Sequence, residues 1–230
     1  MISLSHSTIF LKSSKRLAFI MVCAIAIGLV GCSQQTINSK ASNDNEHSRR
    51  AFHDKLSNVE LKSYQQAITG LNESDFNVAR TLLQKLSKTR PKLAEIHFNL
   101  ALAHYKLNEL ETAESSLDQA LKINPDNPQA LVLKGVIETK NGNINQAEYL
   151  YKKALGLNQN YVNAHYNLAL LYDIFYQDIP LAARHYQRYL ELTDYKDKQT
   201  VVWLEEINSS FNLDSQRNQD NPREPLAQLD

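Results

Sequence analysis

The stretch His97-Phe98-Asn99-Leu100-Ala101-Leu102, "HFNLAL", returns as "HYNLAL" at 165–170, 68 residues later. That distance is twice 34, and the midpoint, 131–136, reads "LVLKGV", apolar at most of the same places. Other positions keep the same period: Ala79, Ala113 and Ala147; Pro91 and Pro125, with Gln159 next; Ala120 and Ala154, each followed by Leu. A fixed period of this length marks a stacked array, because one short unit cannot bury its apolar face alone. Gly and Pro number six each, which disfavours a turn-rich all-β fold. A stacked array poor in turn residues fits an all-α chain.

These residues resemble the tetratricopeptide repeat (TPR), a 34-residue helix–turn–helix unit. Residues 94–127 match it best, with His97 where the family often has Trp, then Leu100, Ala101, Ala113, Ala120 and Pro125. Small residues at Ala101, Gly135 and Ala169, and at Ala113 and Ala147, let paired helices approach closely, and Pro125 ends one unit before the next begins. The expected fold is a TPR solenoid of four repeats, at 60–93, 94–127, 128–161 and 162–195, within a region spanning 49–195. The first is weaker, since Gln66 replaces the usual Leu. The fourth carries one extra residue, so its alanine falls at Ala182, and "YQDIPLA" (176–182) is the expected place for it because Pro180 suits a first helical turn. Tyr189 takes the place of Ala120 and Ala154 and predicts different packing there. Residues 49–59 are read as able to lengthen the first helix. Val201, Leu204, Ile207 and Phe211 recur at helical spacing in 197–213, the expected capping helix over the last apolar face. Nine core helices result, with a disordered tail at 214–230.

The resemblance implies that the first helix of each unit lines a concave face. The fifth positions are then Tyr64, Phe98, Val132 and Tyr166, and the sixth are Gln65, Asn99, Leu133 and Asn167. With Leu102 and Tyr105 they predict an aromatic and aliphatic floor bearing side-chain amides. Such a floor suits a protein partner's peptide segment: amides pair with its backbone and aromatic rings supply contact area. Tyr64, Gln65, Phe98, Asn99, Leu102, Tyr105, Val132, Tyr166 and Asn167 are the candidate contacts, though some of them serve equally well as supports for neighbouring helices. The carboxylate clamp of one TPR subclass needs Lys at the second position, and this chain has Leu61, Glu95, Gln129 and Asn163 there.

The amino terminus sets the expected location. Lys12, Lys15 and Arg16 precede an uncharged stretch at 17–31. Fifteen helical residues rise about 22 Å, short of the roughly 30 Å of a bilayer core. A basic head, a short apolar core and a small-residue end describe a secretory signal peptide; a short uncleaved anchor is the alternative. Leu29-Val30-Gly31-Cys32 resembles the lipobox of bacterial lipoproteins. That resemblance implies cleavage before Cys32, lipidation of its sulfur (thioether-linked diacylglycerol) and acylation, such as palmitate, of its new amino group. Ser33 implies the outer membrane, with the protein anchored by lipid and facing the periplasm. Residues 32–48 are the lipidated cysteine and a polar tether that cannot bury enough surface to order itself.

Basic and acidic residues are equal at 25 each, and the three basic residues of 1–31 have no acidic counterpart there, so nothing points to a nucleic-acid partner. Cys23 and Cys32 are the only cysteines, which excludes a disulfide framework and any cysteine-based site in the repeats. No phosphate loop, nucleophile elbow or HExxH motif occurs. His97 and His165 hold equivalent repeat positions and read as packing residues, and Glu109/Glu111 and Glu205/Glu206 read as solvated. No cofactor, metal or catalysis is expected. By resemblance, the chain is an envelope scaffold for assembly of a pilus or secretion system, or an adaptor for a peptidoglycan hydrolase or protease; an enzyme subunit with an unrecognised site is the remaining class.

Overall fold

The computed structural model describes Phe52 and residues 55–220, with side chains to 209. Cys32, the signal peptide and the whole tether (32–48) therefore lie outside the described residues. Nine α-helices fall within them, with no strand: α1 Asn58–Asn72, α2 Phe76–Thr89, α3 Ala94–Lys106, α4 Leu110–Ile123, α5 Pro128–Lys140, α6 Ile144–Leu157, α7 Val162–Leu171, α8 Ile179–Leu192 and α9 Lys198–Asp220. None of these is long and apolar enough to cross a membrane. The fold is all-α, of the TPR solenoid class. It divides into two compact units. One runs to Leu93 and takes in Ala103–Glu109; the other comprises Ala94–Leu102 and the described residues from Leu110 on.

In the first unit, α1 does not extend back through 55–57. Ser57 stops it with a capping box, its hydroxyl receiving the Glu60 N–H while Glu60 accepts from the Ser57 N–H. Arg90, just past α2, donates two bonds to the same carboxylate, at 2.9 and 2.8 Å. That guanidinium, with Ser57, holds the Glu60 carboxyl well below its usual range. The α1–α2 crossing is close at Gly70, where a Cβ would stand 3.1 Å from the Asp75 carbonyl oxygen.

In the second unit, α4 packs on α5, α5 on α6, α6 on α7, α7 on α8 and α8 on α9. The buried residues repeat with the sequence period: Ala113, Ala147 and Ala182; Leu117, Tyr151 and Tyr186. At Gly135 the approach is tightest. A Cβ there would meet the Tyr151 ring at 2.5 Å, so only glycine admits that ring.

The inter-helix turns show where the extra residue went. The turn between the two helices of each repeat has one residue of positive φ: Ser74 (66°), Asn108 (60°), Gly142 (81°) and Gln177 (54°). The spacing is 34, 34 and then 35, so the insertion precedes Gln177. It lies in Tyr172–Tyr176, a π-helical turn closing α7. A π turn holds one residue more than an α turn and so absorbs the insertion without moving the helices that follow. The expected location, 176–182, is thus corrected upstream. Pro180 does sit in the first turn of α8, behind the Asp178 N-cap.

The last helix buries Thr200, Trp203, Leu204 and Ile207, a stripe rotated from the expected one; Val201 is half-buried, and the Phe211 side chain lies outside the description. Trp203 packs on Tyr186, ring centroids 5.3 Å apart with the planes tilted by 36°. The helix runs on to Asp220, past its expected end at 213 and into the segment expected to be disordered. No Pro or Gly interrupts 198–220.

Candidate functional site

The predicted contacts fall in both units. In the first, Tyr64 is half-buried and packs on Phe52, ring centroids 4.8 Å apart, while Gln65 is exposed. Tyr105, near the end of α3, is half-buried, and burial pushes its hydroxyl pKa up. Beside it in sequence, His104 Nδ1 meets Glu109 Oε2 at 2.5 Å, and Arg80 Nη1 meets Oε1 at 2.5 Å. The His104 bond, aided by Arg80, holds the Glu109 carboxyl below its usual range, despite the opposing effect of burial. Glu109, expected to be merely solvated, instead ties α2 to the end of α3.

In the second unit, Phe98, Asn99, Leu102, Tyr166 and Asn167 keep part of their surface. The two asparagines behave alike: Asn99 Nδ2 donates to the Glu95 carbonyl at 2.8 Å and Asn167 Nδ2 to the Asn163 carbonyl at 2.7 Å. Each amide is thus fixed against its own helix one turn back. Tyr166 is drawn into ring contacts with Tyr189 at 4.8 Å and Tyr186 at 6.3 Å. Val132 is a correction. It is only 5% exposed, because α4, α6 and α7 all pack on α5, so it belongs to the core.

Sequence reasoning missed the polar interlocks of α7 and α8. His165 and His185 face each other, Nδ1 to Nδ1 at 3.0 Å, while His165 Nε2 lies 2.9 Å from the Gln159 carbonyl. The carbonyl fixes the tautomer: Nε2–H of His165 donates to it, so bare Nδ1 accepts from the Nδ1–H of His185. Burial, with the competing titration of His165 and the positive charges of Arg184 and Lys152 nearby, holds His185 down to about 4. Burial lowers His165 as well. On the other side of His185, Tyr172 stacks at 5.7 Å. Tyr172 and Tyr176 donate to Glu148 of α6 at 2.6 and 2.8 Å, and Lys152 pairs with the same carboxylate at 2.5 Å. Burial pushes Glu148 up, but these donors together outweigh it and hold the carboxyl low. Tyr189 donates to Asp197, the N-terminal cap of α9, and burial beside that carboxylate pushes its pKa up to about 12. The one signal for all this was the broken period, which marks α7–α8 as the unit that departs from the rest. No group of three or more His, Cys, Asp or Glu among the described residues is placed to hold a metal.

The chain carries tetratricopeptide repeats. Residues 94–141 match the Fis1 C-terminal tetratricopeptide repeat family and residues 128–161 the tetratricopeptide repeat family. A TPR repeat-containing protein of Methanocaldococcus jannaschii is 36% identical over 99 residues, 41% of this chain and 17% of that protein. The human protein O-mannosyl-transferase TMTC3 is 27% identical over 52% of this chain and 14% of its own length. This chain thus spans under a fifth of these relatives. Among solved structures, a thermophilic TPR protein in Thermus thermophilus aligns with TM-score 0.57 at 24% identity, covering 69% of this chain and 86% of that one. MamA aligns with TM-score 0.53 at 21% identity, covering 69% and 94%. These structural likenesses are of fold.

Proposed function

We propose that this chain is a membrane-anchored tetratricopeptide scaffold that binds a peptide segment of a partner protein on the open face of its first helices. We place it in the bacterial envelope, lipidated at Cys32 and working in assembly of a pilus or secretion system. The observation that carries the binding reading is a repeated pair. Phe98-Asn99 of α3 and Tyr166-Asn167 of α7 each set a half-exposed ring beside an amide that is already fixed on its own helix. A pre-oriented amide loses little freedom when it meets a peptide backbone, and a ring adds contact area at low entropic cost. Each pair thus offers one unit of peptide recognition. The anchor reading rests on Leu29-Val30-Gly31-Cys32 behind a basic head and a short apolar core.

One experiment tests both parts. Native membranes are crosslinked and the chain is recovered, with and without Phe98→Ala/Asn99→Ala. The expected result is a partner adduct that drops several-fold in the double variant while its circular dichroism stays helical. An undiminished adduct overturns the assigned face. In the same preparation Cys32→Ala should leave the membrane fraction or accumulate as precursor; unchanged processing and attachment overturn lipidation.

A further inference from the structure

The π turn builds a second site on a different surface. Tyr172 and Tyr176, four residues apart, stand with ring centroids 5.7 Å apart and 37° between planes. With Glu148 of α6 and Asp178, the residue before α8, they line a recess of about 330 Å³. That lies within the range of small-ligand sites, roughly 300–1,000 Å³.

The lining favours a cation. Two carboxylates and two tyrosines line it. Both phenols donate to Glu148, which leaves the rings richer in electrons and better able to attract positive charge. A cation already occupies the place: the Lys152 ammonium lies 5.9 Å from the Tyr172 centroid while it pairs with Glu148. Lys152 is an internal stand-in, and a loosely held one, its side chain 58% exposed. Of the four lining residues it meets one carboxylate, Glu148, and one ring, Tyr172. A longer or planar cation reaching along the recess would engage all four.

We propose that this recess takes the side chain of an arginine or lysine from an extended segment of a partner protein, displacing Lys152. The site does not depend on the Phe98/Asn99 face and stands or falls without it. The test is an NMR titration of the full chain with a blocked Gly-Arg-Gly peptide and its citrulline counterpart, which has the same shape without the charge. The arginine peptide is expected to move the backbone amides of Glu148 and of Tyr172–Asp178, and the citrulline peptide is not. Removing the competing ammonium by Lys152→Ala should tighten arginine-peptide binding by about two- to fivefold, the value of an exposed cation–π contact. Tyr176→Leu, which removes one ring, should weaken it by a similar factor. The proposal is overturned by no response, by an equal response to citrulline, or by a Lys152→Ala chain that binds no tighter.

Discussion

The third and fourth repeats do one job in two ways. The third, α5 with α6, closes by omission: Gly135 has no side chain, so the Tyr151 ring lies against the α5 backbone. The fourth, α7 with α8, has Ala169 and Tyr186 at those positions and fills its space with partnered rings and imidazoles. Tyr186 reaches Asp173, Tyr189 reaches Asp197, and His165 meets His185. Allowing for the inserted residue, His165 and His185 occupy the places of Leu131 and Leu150, both buried in the third repeat. The third repeat closes mainly on apolar contact, with one hydroxyl contact between Thr139 and Tyr151. The unit that must accept the capping helix carries polar links, which fix orientation as well as proximity.

The largest break in that contrast should come at Gly135. Tyr151 is fully buried and its hydroxyl lies 3.2 Å from Thr139 Oγ1, so the ring has nowhere to swing. Gly135→Val should cost about 3 kcal/mol, the upper part of the usual overpacking range. Gly156→Ala is its control, because a Cβ at Gly156 meets nothing within 4 Å. Relief of glycine's helical penalty should there gain about 1 kcal/mol. Urea unfolding of both variants checks the pair; if Gly135→Val shifts the midpoint no further than Gly156→Ala, the close approach is not what holds the third repeat.

The histidine pair should give the fourth repeat a titration that the third lacks. His185 is held down to about 4, so between its ordinary 6.5 and 4 the folded chain binds fewer protons than the unfolded one. Its stabilising contribution is full above pH 6.5 and falls away as the pH drops toward 4, by an amount on the order of 2 kcal/mol. Arg184 and Arg188 on α8, Lys152 on α6 and the Tyr172 ring surround the pair, and none supplies an anion to hold an imidazolium. Replacing both histidines with leucine, the third repeat's own solution, should flatten the dependence of melting temperature on pH across that interval. An equally steep slope in the double variant would place the titration elsewhere.

How much of this the sequence carried can be read from single residues. The alanines and prolines at intervals of 34 set the number and order of the helices, because small residues at helix crossings are a local requirement. The same alanines could only report that one residue had been added somewhere before Ala182. Placing it at 172–176 took the backbone of the turns, since a π turn leaves the apolar pattern intact. Val132 was misjudged because period assigns a face, whereas burial depends on how many helices cover it, and α5 is covered by three. The interlocks were out of reach for another reason. Tyr172 meets Glu148 across 24 residues and His185 meets His165 across 20, pairings between side chains far apart in the chain that no local spacing announces.

The turns sharpen the contrast by the smallest amount. One position in each repeat requires left-handed backbone, and only the third repeat has glycine there, Gly142 at φ 81°. The fourth has Gln177 at φ 54°, a side chain with none of the local hydrogen bonding that lets Asn tolerate this region, as at Asn108. Left-handed backbone costs an ordinary residue about 1–2 kcal/mol, and glycine gives back part of the relief through its freer unfolded state, so Gln177→Gly should gain about 0.5–1 kcal/mol. The reverse change, Gly142→Gln, should lose a similar amount. Thermal unfolding of the two single variants measures both. Opposite shifts of similar size would mean that the π turn leaves the following turn as constrained as any other. A Gln177→Gly chain with an unchanged melting temperature would mean that the π turn itself relaxes the left-handed residue, and that the fourth repeat took up its extra residue without straining the turn beyond it.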